Sequence, residues 1–347
     1  MSIVKDIFGS LTDENGDVRN IRRFTLCNGK LKLQVINYGA TIVSLQVPDA
    51  DGNISDVVLG FDDILSYVNH AHYFGSTVGR FANRISKGIF ALSNQTYQLA
   101  INNGPNHLHG GIKGFDKVIW DCAIENNKLI LSYVSPHMEE NYPGELSCRV
   151  TYEVTAKNDV CISYHATTTA LTPVNLTNHS YFNLGGHDSG TIEDHEIMIN
   201  ADFYTPVDET SIPTGEILPV ASSNFDLRKP TSIGRILNST PSGMDHNFCI
   251  NGKLNVERKV ASVYHQRSGR LMEVYSTQPG VQFYTANFLP IDDSLIGKHG
   301  VHYKKQSAFC LETQNYPDAV NHANFPSALL DVNEEYNHTA KFRFIVR

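Results

Sequence analysis

Residues 146–164 read LSCRVTYEVTAKNDVCISY. Leu146, Cys148, Val150, Tyr152 and Val154 alternate with Ser147, Arg149, Thr151, Glu153 and Thr155. A period of two belongs to a strand, whose successive side chains face opposite sides of a sheet. A turn at 157–159 leads to Val160, Ile162 and Tyr164, alternating again. The stretch therefore predicts a β-hairpin with one apolar face.

The same period recurs on both sides of it. Leu31, Leu33 and Val35 alternate with Lys32 and Gln34; Val43, Leu45 and Val47 alternate with Ser44 and Gln46; Phe342, Phe344 and Val346 end the chain. Asp51-Gly52, Asn103-Gly104-Pro105, Pro143-Gly144, Asn251-Gly252 and Pro279-Gly280 punctuate these runs as turns. Only 62–69 and 319–323 suggest helices, both short. Many short strands predict an all-β chain, a sandwich or a barrel. No linker, repeat or low-complexity segment divides it, so 1–347 is expected as one domain, with 1–23 as a possible N-terminal arm able to cover a sheet edge.

A chain of 347 residues can bury about three quarters of the surface its unfolded form exposes. Its 28 basic and 36 acidic side chains leave a net charge of −8, which argues against a nucleic-acid partner. The six cysteines form no CxxC pair and read as small buried hydrophobes in a reducing compartment. There is no secretory apolar core at MSIVKDIFGS and no run of about eighteen apolar residues. The expectation is a cytoplasmic chain with no membrane partner. Asn-x-Ser/Thr sequons at Asn175 and Asn178 agree, because glycans there would destroy the stretch they occupy.

That stretch, 172–186, reads TPVNLTNHSYFNLGG. As a strand, it would bury Val174, Leu176, Phe182 and Leu184 on one face. The other face would present Asn175, Thr177, His179, Tyr181 and Asn183. Donors and acceptors without net charge suit a neutral, hydroxyl-rich ligand such as a sugar. An ordinary, satisfied sheet histidine is the plain alternative for His179.

No phosphate-binding loop, dinucleotide fingerprint, HExxH helix or G-x-S-x-G elbow occurs. His107/His109 and His70/His72 pair imidazoles along an extended chain, but without a third ligand nearby they define no metal site. Catalysis is therefore expected from side chains alone, with no cofactor and no metal. Five further stretches join polar groups to stiff surroundings: Gly79-Arg80-Phe-Ala-Asn83-Arg84, Asn106-His-Leu-His109-Gly-Gly111, Met244-Asp245-His246-Asn247, Gln278-Pro-Gly-Val-Gln282-Phe-Tyr-Thr and Phe309-Cys-Leu-Glu312-Thr-Gln314-Asn. Each has a plain structural reading. Arg84 could be a surface charge, Arg80 could pair with a core carboxylate, Asp245 could cap a turn, and Glu312 could end a strand in water.

Together these stretches, with Thr-Asn-His-Ser-Tyr-Phe-Asn-Leu around His179, resemble the aldose 1-epimerase (galactose mutarotase) family. Asp-Glu-Thr-x-Ile-Pro-Thr-Gly-Glu at 208–216 and Asn-Phe-Asp-Leu-Arg-Lys-Pro at 224–230 add to the likeness, which runs from about Phe24 to the C-terminus. The resemblance implies a large antiparallel β-sandwich (a supersandwich) with an open cleft on one sheet. It implies interconversion of the α and β anomers of hexoses, chiefly galactose and also glucose, feeding β-galactose into galactose metabolism. Carried over by motif, His179 would be the general acid, Glu312 the general base, and His109 an assistant at the ring oxygen. Asn83, Arg84, Asp245 and Gln282 would hold sugar hydroxyls, with Ser180 and Tyr181 beside the acid in the same binding stretch.

Mutarotation opens a hemiacetal and closes it on the other face. A base takes the C1 hydroxyl proton while an acid protonates the ring oxygen, and the two exchange roles for closure. A His⁺ and a Glu⁻ suit that task near neutrality, placed on two flanks of one pyranose. Three rivals remain: a carbohydrate-binding protein without turnover, a sugar-phosphate epimerase relative needing a second basic group, and a glycosidase using Glu312 with Asp245. The partner expected is a small hexose, and the state a monomer or homodimer.

Overall fold

The hairpin forms where alternation places it. Leu146–Val154 pairs antiparallel with Asp159–Thr168, Val154 opposite Val160, and Asn158 turns the chain at φ 61°. Along the first strand burial alternates residue by residue, with Leu146, Val150 and Tyr152 fully enclosed. The computed structural model describes residues 2–12 and 15–347. Among them the hairpin lies inside a nine-stranded sheet in the order Asp121–Glu125, Lys128–Ser135, Leu146–Val154, Asp159–Thr168, Tyr336–Val346, Arg270–Ser276, Arg258–His265, His195–Ile199, Thr231–Ser232.

Two five-stranded sheets pack with it around one core. The first runs Ser2–Thr12, Val18–Cys27, Lys32–Ile36, Thr41–Pro48, Ile54–Asp56; the second runs Leu218–Pro219, Ala201–Tyr204, Asp245–Ile250, Gly280–Tyr284, Cys310–Gln314. Leu33 and Val35 of the first, Val150 and Ile162 of the nine-stranded sheet, and Phe248, Val281 and Leu311 of the second share one apolar cluster. The layers are those of an all-β antiparallel sandwich, and hydrogen bonding divides them into three principal sheets.

Four local readings are corrected. Val43 does not share a face with Leu45 and Val47. The ladder steps from Gln34↔Ser44 to Val35↔Ile42, so Val43 is a bulge residue and packs in a separate cluster with Ile21 and Ile64. The expected N-terminal arm is instead a strand pair, Ser2–Thr12 against Val18–Cys27, with Ser2–Thr12 at the sheet edge. Residues 1, 13 and 14 of that arm lie outside the described residues. The helix expected at 62–69 begins later, as Ile64–Asn69 capped by Asp63, and that at 319–323 is a single 3₁₀ turn, Ala319–Asn321. A helix not anticipated, Ile233–Ser239, is capped by Ser232, which accepts from the Arg235 amide, and buries Ile233, Ile236 and Leu237. No helix among the described residues is long and apolar enough to cross a membrane.

The fifth correction concerns 172–186. Only Thr172–Pro173 and Thr177–Asn178 are strand, and both faces are buried. The segment threads between other elements: Asn175 N donates to Arg80 O, His179 N to Ser76 O, Asn183 N to Val57 O, and Phe182 exchanges two bonds with Phe309. The expected ligand-facing row is therefore mostly internal stitching. Asn175 holds Ala82 O and Asn315, Thr177 donates to Thr313 O, and Asn183 donates to Gly190 O and Ser307 O. Side-chain amides replace the missing ladder where no regular partner strand fits.

Candidate active site

Two neighbouring segments bring their polar groups to one opening. In the second five-stranded sheet Asn247, Gln282 and Glu312 stand abreast, and Asp245, Tyr284 and Cys310 stand abreast one step along. Beside them His107–Leu108 pairs with Arg84–Ile85. Beyond that pair His109 N donates to Asn83 O, and Asn83 N donates to His109 Nδ1, both at 3.1 Å. Both residues are left-handed, φ 63° for Asn83 and 54° for His109. Gly110 makes the turn possible, since a Cβ there would stand 1.8 Å from Gly79 O.

The result is a cleft of about 430 Å³ whose wall includes Asn83, Arg84, His109, His179, Asp245 and Glu312. His179 Nε2 lies 3.6 Å from Glu312 Oε1. The two are thus side by side in one cleft, not apart on opposite flanks. That spacing suits a hemiacetal, whose two oxygens are bonded to the same carbon. The His179 ring stacks with Tyr181 (5.0 Å) and with Tyr73 (6.0 Å), and the His109 ring meets it edge-on at 5.2 Å. Its Nδ1 contacts Cys310 Sγ at 3.5 Å. Because His109 Nδ1 accepts from a backbone amide, a neutral His109 carries its proton on Nε2.

Arg84 and Asp245 add a second polar pair to the same cleft. Arg84 Nη1 is 3.6 Å from Asp245 Oδ2, Arg84 Nε donates to Asn103 Oδ1 at 3.0 Å, and Gln282 Nε2 donates to Asp245 Oδ1 at 2.7 Å. Arg84 is 7% exposed and Glu312 2% exposed, so neither is a surface charge. Arg80, from the same GRFANR stretch, does not enter the cleft. Among the described residues it meets no core carboxylate directly, and it donates instead to Ser135 Oγ and to the carbonyls of Ser135, Pro136, Pro143 and Gly144. Two other expected contacts stand back from the cleft. Ser180 is 1% exposed and its hydroxyl is spent on Asn178 Oδ1 at 2.6 Å, while Gln282 sits behind Asp245.

Burial acts against charge on both members of the central pair. It pushes the His179 imidazole down to about 4, opposed by a contact with its own backbone. It raises Glu312 well above the usual carboxylate range, helped by Asp245 and opposed by Arg84. Burial also holds His109 well below the usual histidine range, with His179 and Arg84 adding to the effect. Burial thus favours imidazole plus carboxylic acid over the imidazolium and carboxylate expected from the residue types. Both forms hold one proton and belong to one coupled titration.

The histidine pairs do not build a metal site of their own. His107 Nδ1 is held by Ala100 O and its Nε2 by Tyr142 Oη, away from His109, and His70 and His72 stack on each other at 5.7 Å. The ligand atoms of His109, His179 and Glu312 do lie within 4.8 Å of one another, the same convergence that proton transfer requires. Tyr73 and the lip at Glu209, Thr210 and Ser211 also line the cleft and were not singled out as site residues, and Asn103 was read from the sequence only as part of a turn. The lip falls inside the 208–216 motif, which is the one signal that pointed there.

Comparison with known proteins gives the arrangement a family. Residues 22–343 match the family model for aldose 1-epimerase. Galactose mutarotase of Sus scrofa is 51% identical over 348 residues, covering 100% of this chain and 99% of that one. The aldose 1-epimerase of Escherichia coli (strain K12) is 33% identical, covering 92% and 93%. Among solved structures, an aldose epimerase homologue from C. elegans superposes with a TM-score of 0.86 at 29% identity over 93% of this chain and 98% of that one. A galactose 1-epimerase from Lactobacillus acidophilus NCFM gives 0.84 at 27% identity, over 99% of each. An enclosed imidazole–carboxyl pair in a β-sandwich cleft, together with full-length likeness of this kind, makes the chain an isomerase of the aldose 1-epimerase family.

Proposed function

We propose that this epimerase acts chiefly on galactose, and also on glucose, with His179 and Glu312 as its proton-handling pair. The observation that carries the reading is their 3.6 Å approach inside one cleft, both enclosed. From the ionised pair, imidazolium His179 gives its Nε2 proton to the ring oxygen while carboxylate Glu312 takes the C1 hydroxyl proton. The C1–ring oxygen bond breaks toward oxygen, and the O–H electrons become the carbonyl bond. This leaves an open aldehyde with neutral His179 and protonated Glu312. The aldehyde turns about C1–C2, and the same transfers run backwards on its other face. Burial favours the neutral pair, so it favours the form that accompanies the open chain. No group or electron leaves the sugar, and the two residues suffice without a cofactor.

His109, with its proton on Nε2, serves as a hydrogen-bond donor at the ring oxygen. Arg84 and Asp245, with Asn83 beside them, grip the hydroxyls far from C1, which leaves C1 free to rotate. Gln282 acts through Asp245. The named specificity of the mammalian relatives supports galactose, and the six unpaired cysteines support a cytoplasmic site. Polarimetry on freshly dissolved α-galactose tests the reading. Glu312→Gln and His179→Asn should each slow turnover by about 10²–10⁴ while sugar still binds. Near-wild-type rates in either would overturn the assignment, and binding without any catalysis in the unmodified chain would favour a plain carbohydrate-binding protein.

A further inference from the structure

The register that brings Glu312 into the cleft also sets a group of polar side chains behind it. Gln282 lies opposite Glu312, and Asn247 lies opposite Gln282. Gln314, two residues along the strand and so on the same face, lies opposite Gly280. Asn247, Gln282, Glu312 and Gln314 are 1%, 3%, 2% and 0% exposed. Among the described residues, five of their atoms meet no hydrogen-bonding group: Asn247 Oδ1, Gln282 Oε1, Glu312 Oε2 and both ends of the Gln314 amide. Flipping the Gln314 amide cannot help, since both ends lack a partner. Gly280 makes room for the group, because a Cβ there would stand 2.3 Å from Asn247 Oδ1 and 3.1 Å from the Tyr316 ring.

Each buried polar atom left bare costs about what a lost hydrogen bond costs, so such atoms are partnered almost everywhere. The ordinary partner for a cluster of them is internal water, held by roughly two to four polar groups. Asn247, Gln282 and Gln314 are not part of the cleft wall, so a sugar filling the cleft leaves them to find another partner.

We propose that Asn247, Gln282 and Gln314 hold an internal water cluster behind Glu312, and that this water donates a hydrogen bond to Glu312 Oε2. Asn247 and Gln314 are then positioning residues, acting on the base through water and not on the sugar. A donated bond stabilises the carboxylate over the acid. It supplies what the buried site otherwise withholds, an environment in which Glu312 can give up its proton. The inference rests on Glu312 as the base.

Two experiments test it. In a high-resolution crystal structure of the unmodified chain, ordered water should lie within hydrogen-bonding distance of Asn247 Oδ1, Gln282 Oε1 and the Gln314 amide. A dry patch, or side chains bonded to one another there, would overturn the proposal whether or not the chain turns over sugar. In kinetics, Gln314→Met and Asn247→Leu remove the polar ends at similar volume. Because burial favours neutral His179 with protonated Glu312, a Glu312 that holds its proton more tightly should lower kcat/KM about tenfold on the plateau and acidic limb and move the alkaline limb up by about one pH unit, so that variant and unmodified chain converge at high pH, with KM on the plateau nearly unchanged. A purely structural role would lower activity equally at every pH without moving the limb, and that outcome also overturns the proposal. Should neither variant fold, the crystal structure decides alone. An unmodified chain that fails to accelerate mutarotation would instead sink the functional reading, with the hydration still decided by the crystal.

Discussion

Arg80 and Arg84 are four residues apart in one motif, and the structure gives them opposite work. Arg80, 2% exposed, makes five hydrogen bonds, to one hydroxyl and four main-chain carbonyls. A lysine carries three donors on one nitrogen, so Arg80→Lys leaves at least two of these acceptors bare. At about 1–3 kcal/mol for each buried group left unsatisfied, the loss is about 2–6 kcal/mol. With about 2.1 cal/mol/K of unfolding entropy per residue, a chain of 347 residues loses about 0.7 kcal/mol per degree. The Tm should fall by about 3–8 °C. Mutarotase kcat/KM, measured by polarimetry well below that Tm, should stay close to that of the unmodified chain. Arg84→Lys should do the reverse, with Tm nearly unchanged and KM for galactose raised about tenfold as the planar fork is lost. An unchanged Tm for Arg80→Lys, or a KM effect in that variant equal to that of Arg84→Lys, would refute the division of labour.

Asp245→Asn removes the charge that faces Arg84 and holds Gln282; KM should rise with a smaller change in kcat, and steady-state kinetics unchanged in both would remove Asp245 from the clamp. His338, fully buried against Leu176 O and Thr313 Oγ1, is pushed down to about 3 by desolvation. Its folded value lies below its unfolded one, so its contribution is complete above about 6.5 and is lost as the pH falls toward 3. At pH 5 the loss is about 2 kcal/mol, and denaturant titrations at pH 7 and 5 should show His338→Gln losing that much less than the unmodified chain. Parallel losses would contradict the burial. Over 4.5–6.5 the His179 and Glu312 contributions run in opposite directions and largely offset, which makes His338 the cleaner probe.

The hairpin at 146–164 was legible because its information is local: five alternating apolar side chains define a face before any partner strand is known. The 172–186 stretch was misread for the converse reason. Its neighbours come from residues 57–59, 75–82 and 309, and burial on both sides removes the contrast that alternation reports. The edge strand Ser2–Thr12 has weak alternation, and its pairing rests on backbone bonds to Val18–Cys27. The missed helix Ile233–Ser239 did carry a signal, a serine cap followed by apolar residues at spacings of three and four. At the site, residue types alone left Arg84, Asp245 and Glu312 open to structural readings, and the family likeness named their roles. That burial works against charge on both His179 and Glu312 was beyond sequence, since it depends on how far both are withdrawn from water.

The decisive measurement is a crystal structure of Glu312→Gln soaked with galactose, in which slowed turnover holds the closed ring in place. The C1 hydroxyl should lie about 2.6–3.2 Å from the side-chain amide at position 312, with the ring oxygen at a similar distance from His179 Nε2. A galactose bound with its C1 end turned away from both, while Arg84 and Asp245 hold it, would contradict the assignment of these two residues as the proton-transferring pair.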